Sequence, residues 1–279
     1  MELTGADELI EHLVEFYDRV APEYDGWAGG LHGRVAAKLV DVAAPRRGDA
    51  VLDVGCGTGL VTHRLAAGVG RKGSVVGIDL SARMLDLARQ NALPNTTFMA
   101  MAAEQMVFRD RSFDLITYGQ SLPYLVDPLA SLGESARLLR PGGRVALSLH
   151  RRSLHTEAQD LFYRVLGDLA IRHHLRVPEH SPERSVYGEP EKLSSLLDEV
   201  GFGRVRSTEM VTGGRVRTPR EWTELMAGSG PLPNTLLSVL GPRLRSEFET
   251  ILAEGMEQLG DGAFRYHFAF IFAVGVLPG

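Results

Sequence analysis

Between an apolar run, Ala50 to Val54, and a helical pattern beginning at Leu60 lies the segment Gly55-Cys56-Gly57-Thr58-Gly59. Glycines at a strand-to-helix turn let backbone N–H groups come close to a ligand, and the helix start adds positive potential for a carboxylate or phosphate. The next apolar run, Ser74 to Ile78, ends at Asp79, an acid well placed for the hydroxyls of a ribose. The Gly-x-Gly-x-Gly spacing differs from the Gly-x-Gly-x-x-Gly of dinucleotide binders. A turn built only for packing would account for the glycines but not for the acid that follows.

These residues need elements to hold them, and the pattern supplies strand, tight turn, helix and strand in order. Ser81 can cap a helix carrying Met84, Leu85 and Ala88 on one face. Strands are expected at Thr97 to Met101 and Phe113 to Tyr118, then a helix opened by Asp127-Pro128 with Leu129, Leu132, Ala136 and Leu139 at helical spacing. Pro141-Gly142-Gly143 is read as ending that helix and feeding a strand, Arg144 to Leu149. Alternation of this kind predicts a doubly wound, mostly parallel sheet with helices on both faces. Beyond His150 the rhythm changes: Leu154 to Ala170 reads as one long amphipathic helix, with Ala158, Leu161, Phe162, Val165, Leu166, Leu169 and Ala170 on its stripe. A helix bearing Leu193, Leu196, Leu197 and Val200, a strand from about Val205 to Val211, helical patterns around Trp222 and from Leu244 to Leu259, and a last strand, Tyr266 to Val276, complete the reading. One domain is expected: a helical cap over 1–45, a ligand-binding core over 46–150, insertions over 151–188 and 213–262, and the remaining sheet and helix over 189–212 and 263–279.

The chain has 279 residues, a formal net charge of −5 and scattered basic residues, which argues against gripping a phosphate backbone and hence against nucleic acid as partner. Cys56 is its only cysteine, so there is neither an internal disulfide framework nor a cysteine-rich zinc site, and no metal is expected. Met1 to Ile10 has no basic start leading into an apolar stretch, and the longest apolar run, Phe268 to Pro278, falls short of the roughly 20 residues that span a bilayer. A cytoplasmic protein without membrane contact is the expectation.

Val51-Leu52-Asp53-Val54-Gly55-Cys56-Gly57-Thr58-Gly59 resembles motif I of the class I S-adenosylmethionine-dependent methyltransferases, in the group of the ubiquinone and menaquinone C-methyltransferases. Further matches follow in order. Tyr17-Asp18-Arg19-Val20-Ala21-Pro22-Glu23-Tyr24-Asp25 resembles that group's N-terminal aromatic motif, and Val76-Gly77-Ile78-Asp79-Leu80-Ser81-Ala82-Arg83-Met84-Leu85 its ribose-binding motif. Ser112-Phe113-Asp114-Leu115-Ile116 and Arg137-Leu138-Leu139-Arg140-Pro141-Gly142-Gly143 are similar to its later motifs. The resemblance implies a Rossmann-like, seven-stranded sheet with an antiparallel last strand, and S-adenosyl-L-methionine as cofactor. It places Gly55, Cys56 and Gly57 along the methionine part, Asp79 at the ribose, and Leu80 and Met84 on either side of the adenine. The group often has Asp-Ala-Glu at the adenine edge, where this chain has Ala102-Ala103-Glu104. Either Glu104, Gln105 or a backbone carbonyl replaces the missing acceptor, or affinity is reduced. Tyr17 and Tyr24 either close over the cofactor or pack an N-terminal helix on the sheet.

Ligands of open α/β sheets sit beyond the carboxyl ends of the strands, where the fourth and fifth strands would deliver Tyr118, Gly119, Gln120, Tyr124 and His150. The two insertions and the N-terminal helix are lid candidates over a small, partly apolar acceptor. Methyl transfer needs mainly alignment and exclusion of water, and a base only where the acceptor must lose a proton. His150 is the first candidate base; His173, His155, Tyr124 and Tyr187 follow. The expected reaction is methyl transfer to O, N or C of a small molecule such as a quinone-like or natural-product metabolite. The alternatives are a methyltransferase-like cyclase or pericyclase that keeps the cofactor without using its methyl, and a nicotinamide-dependent oxidoreductase.

Overall fold

The computed structural model describes residues 5–151, 155–175 and 188–279. Its chain order begins with two helices, α1 (Gly5–Tyr24) and α2 (Trp27–Ala43), followed by β1 (Ala50–Val54), α3 (Leu60–Val69), β2 (Ser74–Asp79), α4 (Ala82–Gln90), β3 (Thr96–Ala100) and β4 (Phe113–Gly119). It continues through α5 (Pro128–Leu138), β5 (Leu139–His150), α6 (Glu157–Arg172), α7 (Pro190–Glu199), β6 (Gly203–Arg215), α8 (Pro219–Ala227), α9 (Pro231–Ser238), α10 (Pro242–Leu259) and β7 (Arg265–Val276). The seven strands form one sheet in the order β3-β2-β1-β4-β5-β7-β6. β1 pairs in parallel with β2 and β4, β2 with β3, and β4 with β5, whereas β7 runs antiparallel to β5. The order reverses at β1 and β4, which is where such sheets open a crevice for a ligand.

Two helix starts match the chemistry of their residues. Ser81 accepts a hydrogen bond from Met84 N at the head of α4, and Asp127 accepts one from Ala130 N ahead of Pro128 in α5. The expected break at Pro141-Gly142-Gly143 needs correcting. Helix α5 stops at Leu138, and the three residues lie inside β5, where the pairing register with β4 slips between Phe113 and Leu115. Gly142, at φ 77°, lets the strand bend there while its N–H donates to Leu277 O.

The chain contacts divide into two compact units. The first comprises Met1–His150, Arg184–Glu209 and Phe270–Gly279 and contains the five parallel strands with α1 to α5 and α7. Its core on one side of the sheet gathers Leu52, Ile116, Leu132, Leu147, Leu193, Leu197 and Phe202. The second comprises Arg151–Glu183 and Met210–Ala269, with α6, α8, α9 and α10. There the stripe of α6 is buried as its spacing predicted, although the helix starts at Glu157 behind a Thr156–Gln159 capping box rather than at Leu154, which lies outside the described residues. Phe162 of α6 meets Phe248 of α10 edge to face, ring centroids 5.4 Å apart. Phe162 has no exposed surface, so Phe162→Ala should cost about 3 to 5 kcal/mol. A thermal melt of the variant within a degree or two of wild type would contradict this packing.

No helix among the described residues is long and apolar enough to cross a membrane.

Candidate active site

The loop after β1 turns on glycines in the left-handed region, Gly55 at φ 67° and Gly57 at φ 53°. Gly55 N and Cys56 N both donate to Ile78 O, at 2.8 and 2.9 Å, tying the loop to the end of β2. One residue further, the Asp79 carboxylate accepts from Gly57 N through Oδ2 at 2.8 Å and from Ser81 N through Oδ1 at 2.9 Å. A single acid thus fixes the glycine loop and the head of α4 against each other. Burial raises its pKa, against the pull of these N–H donors.

Two cavities meet at this loop. The larger, about 870 Å³ and open on one side, is lined by Asp79, Leu80, Met84, Ala103, Glu104 and Tyr124, with Tyr17 and other residues of α1 forming the opposite wall. The smaller, about 440 Å³, is lined by His32, Asp53, Cys56, Thr58 and Ser148. Tyr24, Gly55, Gly57, Gly119 and Gln120 line both. Volumes of this size suit a small-molecule ligand. Gln120 holds φ 63°, an unusual conformation for a side-chain-bearing residue, and its buried Nε2 has no hydrogen-bond partner, nor has the buried Ser148 Oγ.

Helix α1 is attached by a repeated Tyr-Asp doublet. Tyr17 and Tyr24, two helical turns apart, both line the larger cavity, while the acids that follow them bind the opposite wall: Asp18 accepts from Ser81 Oγ and Asp25 from Thr58 Oγ1 at 2.6 Å. Tyr17 packs edge-on against Tyr24 and Tyr124, at centroid distances of 6.3 and 5.8 Å. Burial pushes the phenols of Tyr17 and Tyr24 well above their ordinary value, so both stay neutral donors.

A family model described as a methyltransferase domain matches residues 51–143. Over 219 residues the chain is 32% identical to the 2-phytyl-1,4-naphtoquinone methyltransferase of Thermosynechococcus vestitus, a match covering 76% of this chain and 96% of that relative. The chain belongs to the class I S-adenosylmethionine-dependent methyltransferases. This methyltransferase is also 34% identical, over 142 residues, to an aklanonic acid methyltransferase of Streptomyces, covering 50% of the chain and 64% of the relative. Its fold matches that of the Haemonchus contortus phosphoethanolamine N-methyltransferase 2 solved in complex with S-adenosyl-L-methionine, with a TM-score of 0.59 and 18% identity, over all of this chain and 61% of the other.

The methyltransferase brings most of the residues singled out in its sequence to these cavities. Tyr17, Tyr24, Gly55, Gly57, Asp79, Leu80, Met84, Ala103, Glu104, Gln120 and Tyr124 line the larger one, and Cys56 the smaller. Others fall elsewhere. Tyr118 is fully buried, its hydroxyl bound to Ser131 O, Ser131 Oγ and Ser135 Oγ, so it fastens α5 to β4 instead of facing a ligand. His150, opposite Phe270 in the β5–β7 ladder and edge-on to its ring, lies outside both cavity walls. His173 ends α6 as its C-cap with Nε2 4.0 Å from Glu247, and His155 stacks on Tyr163; both belong to the second unit, whereas the first unit alone lines the two cavities. Tyr187 lies outside the described residues. Of the residues expected at the adenine edge, Glu104 accepts through Oε1 from Val126 N and Asp127 N at 2.9 and 3.3 Å, and Gln105 is exposed and absent from the walls. Sequence reasoning missed His32 and the tethering roles of Asp18 and Asp25.

Asp53, at the end of β1, accepts from Thr62 Oγ1 at 2.6 Å and Thr117 Oγ1 at 2.7 Å, yet burial outweighs these bonds and lifts its carboxyl from 3.8 to about 6. Its charged form therefore costs stability, by about 3 kcal/mol for two pH units, fully above about pH 6 and not at all below about pH 4. Asp53→Asn removes that cost and forfeits an acceptor worth about 1 kcal/mol. The variant should melt higher than wild type near pH 7.5, with the gap closing as the pH falls towards 4.5. A gap that ignores pH would contradict the shifted carboxyl.

Proposed function

We propose that this enzyme binds S-adenosyl-L-methionine in the larger cavity and methylates a hydroxylated carbocyclic aromatic, a quinol or aromatic-polyketide-like molecule. The observation that carries the acceptor class is the similarity, over 76% of this chain, to a naphthoquinone methyltransferase, together with a cavity walled by tyrosines and aliphatic side chains. The cofactor fits the residues present. A Cβ at Gly57 would meet no atom within 4 Å, so the loop leaves open space beside its backbone, and the Asp79 carboxylate, held by the N–H groups of Gly57, Ser81 and Leu80, keeps acceptor capacity for a ribose hydroxyl. Leu80 and Met84 would flank the adenine, Gly55 and Gly57, which line both cavities, the methionine part, and Tyr17, Tyr24 and Tyr124 would cover the reacting region from water. When bound, the cofactor supplies an electrophilic methyl group on a sulfonium. Glu104 Oε1 is engaged by Val126 and Asp127, which leaves its Oε2 or the wall backbone beside Ala103 to receive the adenine amine.

Incubation with methyl-labelled S-adenosyl-L-methionine and 1,4-dihydroxynaphthalene kept reduced by dithionite should give a labelled naphthol ether or C-methyl quinol. Tight cofactor binding by calorimetry with no label in any product would sink the acceptor reading, and a rearranged product without label would favour cyclisation over methylation.

A further inference from the structure

We infer that His32 is the general base that takes the acceptor's hydroxyl proton. The inference rests on the methyl-transfer reading and goes beyond it. His32 Nδ1 lies 2.9 Å from Tyr24 O, and since a carbonyl oxygen can only accept, Nδ1 carries the hydrogen and Nε2 of the neutral ring carries the lone pair. The ring lines the smaller cavity, as do Gln120 and Ser148, whose Nε2 and Oγ are buried without a hydrogen-bond partner.

The ring's setting is built, not incidental. It stacks on Tyr24 at 4.0 Å and on Trp27 at 5.0 Å, with interplanar angles of 17° and 26°. Trp27 reaches it because Ala28, Gly29 and Gly30 turn through three consecutive left-handed conformations, φ 48°, 65° and 76°, a costly arrangement for Ala28. Arg34 holds that turn by donating to Gly29 O at 2.6 Å. The charged and titratable groups around the ring are Asp25 on the α1–α2 connection, Tyr24, Asp53 at the end of β1, Cys56 in the glycine loop and Arg64, whose guanidinium lies beside Gly33. Burial lowers the His32 pKa more than Tyr24 O and Asp25 raise it, which keeps the imidazole neutral near pH 7. Burial holds the Tyr24 phenol and the Cys56 thiol protonated, and Asp53, at 1% exposure, is committed to the buried threonine hydroxyls of Thr62 and Thr117.

In the step, the acceptor's oxygen, or the ring carbon it activates, forms a bond to the methyl carbon as the carbon–sulfur bond breaks with its electron pair passing to sulfur. The hydroxyl proton passes to His32 Nε2 and from there to solvent; on the carbon route the ring C–H proton is then lost and the oxygen takes up a proton from solvent, restoring the aromatic quinol.

The test uses the full chain and His32→Asn, whose amide N–H can still donate to Tyr24 O. With 1,4-dihydroxynaphthalene near pH 7, kcat should fall about a hundredfold while the Kd for S-adenosyl-L-methionine and the Tm hold, and the variant's rate should climb tenfold per pH unit until the acceptor ionises by itself. A kcat within threefold of wild type overturns the proposal, as does a loss that no rise in pH restores. If wild-type enzyme transfers no label to this acceptor, the quinol reading falls separately, and nitrogen NMR of histidine-labelled protein decides His32. An unprotonated Nε2 near pH 7 supports the base and a protonated Nε2 overturns it.

Discussion

Asp79→Ala is expected to weaken S-adenosyl-L-methionine binding at least a hundredfold. A charged acceptor is worth about 1.5 to 3 kcal/mol per hydrogen bond, and the ribose presents two hydroxyls, so a loss of about 3 kcal/mol follows from the ligand contacts alone. The geometry adds to it. The same carboxylate grips Gly57 N and Ser81 N, so the alanine variant also releases the glycine loop from the head of α4 and leaves these N–H groups without their partner. Asp79→Asn keeps one oxygen but turns an amide N–H towards a backbone N–H, and should fall between the alanine variant and wild type. Calorimetric titration giving an unchanged Kd for Asp79→Ala would remove the cofactor from this cavity.

The second large effect separates two glycines that look alike in sequence. Gly57→Val should abolish cofactor binding and leave a folded protein, because its side chain would project into open space and the φ of 53° costs about 1 to 2 kcal/mol. Gly55 is different: a Cβ there would lie 2.4 Å from Ser121 Cβ, and Ser121 cannot retreat without losing its hydrogen bond to Val54 O at 2.6 Å. Gly55→Ala should therefore lower the melting temperature sharply before any ligand is added. Wild-type affinity in Gly57→Val, or an unperturbed melt in Gly55→Ala, would contradict the respective assignment.

The contrast shows how far sequence reasoning reached. Local signals are strong from Ala50 to Gln90, where strand, glycine turn and capped helix sit within a few residues of one another, and β1 occupies Ala50–Val54 as read. That Gly55, Gly57, Asp79 and Leu80 line the cavities follows for the same reason: the fold places them directly after strand ends. Tyr118 and His150 failed because a strand end says which edge a residue approaches, but not which way its side chain turns; Tyr118 faces α5, and His150 faces Phe270. Helix α9 passed unread because Pro231-Leu232-Pro233-Asn234 shows no apolar repeat long enough to register. His32 was invisible because its place depends on three successive left-handed residues, of which only Gly29 and Gly30 hint at anything in sequence.

The Tyr-Asp doublets of α1 have a thermodynamic corollary. Ile10, Leu13, Val14 and Tyr17 form one wall of the larger cavity, and the hydroxyls that anchor this helix, on Ser81 and Thr58, stand in the two segments that hold Asp79 and Gly57. Seating the helix and seating a ligand are therefore linked equilibria: whatever factor the docked helix adds to ligand affinity, a bound ligand returns as an equal factor in the helix's own docking constant. Deleting Asp18 or Asp25 oxygens would be felt in the ligand's residence time, although neither carboxylate lies in the cavity wall.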